Sequence, residues 1–171
     1  MSTEASSIDR NFIVQQGFAE PDGASCSPLA SALLVQPRVV GVIGLVAALL
    51  RSSALFAALA LILFWSALLP RWNPFDALYN RLAARRPGFQ RLTPAPAPRR
   101  FAQGLAGTFA AAIALALRAG AARTALGVEV VFFLAVAAIA LGRFCLGSFV
   151  YQLARGRVSF ALRTLPWHRG P

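Results

Sequence analysis

Lysine is absent from the 171 residues, and acids number only six against 17 basic residues, all arginine, so the formal net charge is +11. The arginine-only, alanine-rich composition is what a GC-rich genome produces. Charged residues make up 13% of the chain and apolar ones 57%, where a soluble domain carries about 25% charged residues. A water-soluble globule is therefore excluded in favour of an integral membrane protein. The excess of positive charge could suggest nucleic-acid binding, but long apolar runs separate the arginine clusters. Arginines flanking membrane spans explain it better, and no nucleic acid is expected. One histidine, His168, excludes most His-based zinc, haem and triad sites within a single chain. Two cysteines, Cys26 and Cys145, give no disulfide framework. There is no Gly-rich phosphate loop, no pair of catalytic carboxylates and no metal-ligand cluster. An enzyme acting alone is not expected, nor is a cofactor or metal. The polar, acidic start lacks the basic and apolar regions of a signal peptide.

Residues 1–27 read as a polar, loosely ordered segment outside the bilayer. Ser27-Pro28 suits a helix start, and Gln36-Pro37 should end or kink a short surface helix. The apolar stretch from Val39 to Leu69 is interrupted by Arg51-Ser52-Ser53. As one helix it would be about 46 Å long and would bury Arg51 near the middle of a hydrocarbon core of about 30 Å. Two short helices turning at Arg51–Ser53 place the charge at an interface instead. Asn73-Pro74-Phe75-Asp76 is a helix-capping sequence. It opens an amphipathic surface helix over 74–86, with Phe75, Leu78, Tyr79 and Leu82 on one side and Arg81, Arg85 and Arg86 on the other. Thr93–Pro98 is a stiff spacer. Two further spans follow, over 101–118 and 125–142; the last helix could run on to Ala154, with Gly156 as terminator.

The expected fold is thus all-α: a polytopic membrane domain over 28–155, with four transmembrane helices in two hairpins (37–51, 54–69, 101–118, 125–142) and short surface helices. A basic tail covers 156–171. Residues 70–100 hold seven arginines and residues 155–171 hold four; the opposite side holds Arg51, Arg118 and Arg123. That bias of eleven to three places the long loop, the tail and, by parity, the N-terminus in the cytoplasm of a bacterium, with the spans in its inner membrane.

Four motifs stand in order: Gln36-Pro37-Arg38-Val39-Val40-Gly41, Asn73-Pro74-Phe75-Asp76-Ala77-Leu78-Tyr79-Asn80, Arg100-Phe101-Ala102-Gln103-Gly104 and Phe144-Cys145-Leu146-Gly147-Ser148. Over about residues 37–155 the chain resembles a bacterial four-helix membrane family catalogued only as a domain of unknown function. The resemblance implies an association with thioredoxin-like or sulfurtransferase proteins. It also implies a Cys-x-x-Cys pair near the end of the last span. Here Cys145 matches the first position and Ser148 replaces the second, a departure that puts a dithiol role in doubt.

Each candidate site has a structural alternative. Cys145 could be a reactive thiol, with Arg143 favouring its thiolate, Ser148 bonding it and Cys26 as a transient partner; otherwise both cysteines are packing or surface residues. Glu129 is the one acid inside an apolar span. It is either a proton- or cation-responsive group or half of an ion pair with Arg118 or Arg123. Arg81, Arg85, Arg86, Arg91, Arg99 and Arg100 form a basic surface for anionic lipid headgroups or an acidic partner. Gly104, Gly107, Ala111 and Ala114 in the third span pack within the bundle or mark an oligomer interface. The leading functional expectation is a non-enzymatic scaffold or accessory subunit of a membrane complex, possessing a membrane-protein partner or a second copy of itself. The alternatives are a thiol or sulfur relay using Cys145 with a thioredoxin-like partner, and a small oligomeric transporter.

Overall fold

The computed structural model describes residues 2–20, 23–85 and 91–168, with the backbone alone at 2–6 and 23–25. Among these residues the chain is all-α. Its helices are α1 (Ser2–Gln15), α2 (Gly23–Leu33), α3 (Val35–Leu49), α4 (Ser53–Leu68), α5 (Pro74–Ala83), α6 (Ala97–Arg118), α7 (Ala122–Ala140), α8 (Leu146–Ala154) and α9 (Val158–Arg163).

Helices α3, α4, α6 and α7 form the bundle, each packed on two neighbours in the ring α3–α4–α6–α7. Phe56, Leu63, Ile113 and Phe132 fill its centre. Small residues set the spacing. A Cβ on Gly44 of α3 would stand 2.9 Å from the Phe132 ring on α7, and one on Gly107 of α6 would stand 3.2 Å from the ring of Phe64 on α4. The outer faces are apolar too, with Leu45, Leu61, Leu115 and Leu134 exposed. Helices apolar on every side need a solvent other than water. Among the described residues three stretches are long and apolar enough to cross a membrane: Cys26–Leu49, Ala97–Arg118 and Ala122–Ala140. The fourth, α4, is apolar but has only 16 residues.

The turn expected at Arg51–Ser53 is present. Arg51 takes a left-handed φ of 47°, and the Ser52 hydroxyl caps α4 by accepting the Leu55 N–H at 3.2 Å. Asn73 caps α5 in the same way, accepting the Phe75 N–H at 3.0 Å. Gly156 follows α8 with φ 70°.

Other expectations are corrected. No separate surface helix ends at Gln36-Pro37. Leu34 and Arg38 donate across the α2–α3 junction to Ala30 and Leu34, each at 3.2 Å, so the two run on with only a local irregularity at Leu34. Pro37 falls in the first turn of α3, where a missing N–H does little harm. The helix expected to run on through Arg143 does not: α7 ends at Ala140. The chain turns there, with Arg143 at φ 51° and its guanidinium paired with Asp9, and α8 starts afresh. The N-terminal segment is not loose. It forms α1, which packs on α2 and buries Phe12 and Ile13. The polar residues of α1 are what tie it down: Asp9 holds Arg143, and the Asn11 amide donates to the Leu165 and His168 carbonyls at 3.2 and 3.1 Å.

Candidate functional site

One end of the bundle collects the starts of α3 and α6 and the ends of α4 and α7, and it is here that buried polar side chains meet. Arg99 and Gln103, one turn apart on α6, face the interior along with Gly107 and Ala110. Asp76 sits in the first turn of α5, held by the Asn73 amide, which donates to its Oδ2 at 3.0 Å. The Arg99 guanidinium grips this carboxylate with both terminal nitrogens, Nη2 to Oδ1 at 2.7 Å and Nη1 to Oδ2 at 3.3 Å. Nη2 also donates to Gln36 Oε1 of α3 at 3.0 Å, and the ring of Phe18 lies 5.8 Å from the guanidinium carbon. Three helices and the segment after α1 are thus tied to one buried, neutralised charge pair. Planar Arg–carboxylate forks suit such a place, since desolvation must be offset by several aligned bonds.

The amide orientations follow from this network. Arg99 has no acceptor atom, so Gln36 must turn its oxygen toward it. That same oxygen accepts the Gln103 Nε2 at 2.9 Å. Gln103 must then present its nitrogen to Gln36, which leaves Gln103 Oε1 buried and without a partner among the described residues. Gln15 is fixed likewise: its oxygen accepts the Cys145 N–H at 2.8 Å, bridging 130 positions of sequence. The next residue, Gln16, is also buried, with its Nε2 unpartnered.

Beside this cluster lies a cleft of about 120 Å³ between α3, α6 and α7. Its lining is mostly apolar, from Val40, Leu63, Phe109 and Val136 among others, and Gln16, Gln36, Arg99, Gln103 and Cys145 also border it.

Cys145 occupies the cap position at the start of α8 and is 5% exposed. Burial pushes its thiol up from the ordinary value of 9.0; Ser148 and the Arg99 charge oppose the rise in part. Arg143, expected to favour the thiolate, is instead committed to Asp9. Cys145 and Cys26 belong to one buried cluster with Phe12, Ile13 and Leu33, and Ser148 is also buried. Cys145 and Cys26 are not joined to each other as a disulfide.

The basic surface is divided. Arg81, Arg85 and Arg91 are exposed, Arg99 is buried in the ion pair, and Arg100 is half-buried, its Nε donating to the Ala67 carbonyl at the end of α4 at 2.7 Å. Arg86 lies outside the described residues. The ion pair expected between Glu129 and Arg118 or Arg123 is not formed: both arginines are exposed, and Glu129 lies on the inward stripe of α7 with Ala125 and Phe132, 8% exposed. A carboxylate points inward while the arginines at that end of the bundle turn out to solvent. No group of three or more metal-ligating side chains occurs among the described residues.

Sequence reasoning missed the Asp76–Arg99–Gln36–Gln103 network. The signal was available: Arg99 and Gln103 share a helix face with Gly107 and Ala110, and Gln36 opens an apolar run. No curated protein and no solved structure matches the chain. Residues 31–155, from α2 to the junction after α8, match the family described as "Domain of unknown function (DUF4395)", and the chain belongs to that family.

Proposed function

We propose that the chain is a multi-pass protein of a bacterial inner membrane, with α5, α8 and the basic tail on the cytoplasmic side, and that it serves as a non-enzymatic accessory or scaffold subunit. One observation carries this reading: the strongest polar groups of the bundle are spent on one another, at the Arg99–Asp76 fork and its glutamines. The exposed faces are left apolar, apart from a few arginines at the ends. Such a surface is suited to lipid and to other membrane helices. Arg81, Arg85 and Arg91 remain free for anionic headgroups. Crosslinking in native membranes, followed by mass spectrometry, should capture a specific neighbour or a second copy. A protein that purifies as a stable monomer and captures nothing defeats the proposal. A reporter fused after Pro171 should be active only in the cytoplasm.

A second reading, a thiol relay with a thioredoxin-like partner, draws support from the placement of Cys26 and Cys145 in one buried cluster. It requires an opening that exposes Cys145. Mild oxidation of the folded protein should then link the two cysteines; a mass unchanged by oxidation removes this reading.

A further inference from the structure

We propose that the cleft between α3, α6 and α7 binds an uncharged, hydroxyl-headed apolar molecule drawn from the lipid phase. This goes beyond an accessory role, which needs no ligand, and a monomer could do it equally well.

Two residues that line the cleft, Gln103 and Gln16, are 5% and 2% exposed, and each carries a polar atom without a partner among the described residues, Gln103 Oε1 and Gln16 Nε2. An orphaned buried polar atom costs about 1–3 kcal/mol, so two of them on residues that line one small space call for a complement. Gln103 offers only an acceptor there, because its nitrogen is committed to Gln36. Gln16 offers a donor. A hydroxyl group both donates and accepts, so it suits either atom.

Charge is not called for. Arg99 also borders the cleft, but its charge is already met by Asp76. A carboxylate head would face that carboxylate across the guanidinium, and an ammonium head would face the guanidinium. The remaining walls suit a ring or an alkyl chain, and the volume of about 120 Å³ approaches the ~150 Å³ of a cavity that takes up benzene. Exposed Val131 forms part of the wall, so the cleft reaches the apolar outer face. A molecule dissolved in lipid could enter sideways and leave a longer tail outside. Two sources share this chemistry: a phenolic or quinol-type ring, and a straight-chain alcohol.

The full chain in nanodiscs, with empty nanodiscs as the blank, would be titrated calorimetrically with decylhydroquinone, its dimethyl ether and 1-decanol. Saturable binding of decylhydroquinone or decanol is expected, and the tighter of the two identifies ring or chain as the source. The ether, which cannot donate to Gln103, should bind about three- to tenfold more weakly than the hydroquinone, the worth of one neutral hydrogen bond. Gln103→Leu should abolish that preference. Ala106→Leu and Ala135→Leu, which fill the cleft without touching the amides, should remove binding while the unfolding temperature shows the protein still folded. The proposal is overturned if neither alcohol binds saturably, if the hydroquinone binds and its ether binds equally well, or if binding survives in both cleft-filling variants.

Discussion

Removing one partner of a buried ion pair leaves the other charged and desolvated, a larger loss than the pair itself is worth. Asp76→Asn or Arg99→Leu should therefore destabilise the protein by about 3–5 kcal/mol, read as a lower unfolding temperature in detergent. The double variant Arg99→Met with Asp76→Leu should regain most of that loss, because no isolated charge remains. Single and double variants of equal stability to the wild type would show that the pair is hydrated. Cys145 gives a prediction of opposite character. Burial raises its thiol above the ordinary 9.0, so the folded protein keeps a proton that the unfolded chain releases. The stability arising from this is fully present below pH 9.0 and declines as pH climbs past it toward the folded value. Cys145→Ala should flatten that decline in alkaline unfolding curves, and maleimide should reach Cys145 only slowly at neutral pH. Fast labelling at neutral pH, or the same alkaline slope in wild type and variant, would refute this account.

Helix contacts in the bundle turn on where a side chain can be omitted. A Cβ on Gly147 would lie 2.7 Å from the backbone Cα of Ala102, so α8 sits directly on α6 there, whereas a Cβ on Gly127 of α7 meets nothing within 4 Å. The same change should then have opposite signs. Gly127→Ala should stabilise by about 0.5–1 kcal/mol through helix propensity, and Gly147→Ala should destabilise by about 1–3 kcal/mol by forcing the helices apart. Equal shifts in unfolding temperature would contradict the close packing of α8. Elements whose cause is local were legible in the sequence: the Arg51–Ser53 turn, the Asn73 cap and the Gly156 stop each depend on residues a few positions apart. The ordering of α1 was not legible, because its causes are distant. Asn11 reaches Leu165 and Gln15 reaches Cys145, 154 and 130 positions away. Without those partners, Asp9, Asn11, Gln15 and Gln16 read as a soluble tail. The candidate site was half legible. Cys145, Ser148 and Glu129 stand out by type, but the Arg99 network requires knowing that Asp76 of a surface helix turns inward, and an arginine within a run of arginines reads as surface charge.

At the scale of the whole molecule, helix length sets the thickness of membrane that fits. The Cys26–Leu49 stretch has 24 residues and α6 has 22, while α4 has 16. At about 1.5 Å per residue, α4 extends about 24 Å against roughly 36 Å for the longest stretch. On the proposed topology α4 must cross with the others, and the hydrocarbon core averages about 30 Å. The longer helices can tilt to shorten their span, but a short one cannot lengthen. Trp72, just beyond α4, is exposed and its carbonyl accepts the Trp65 Nε1 at 3.0 Å. Aromatic residues of this kind settle at the headgroup level. With the tryptophans anchored and α4 short, the bilayer must thin around this side of the bundle. Reconstitution into phosphatidylcholines of increasing acyl length should therefore give the highest unfolding temperature in thin bilayers and a steady fall as the chains lengthen. A mismatch of about 6 Å, at fractions of a kcal/mol per Å, makes the fall measurable. A protein most stable in the thickest bilayers would mean that α4 does not set the thickness, and that it lies within or beside the bundle without crossing.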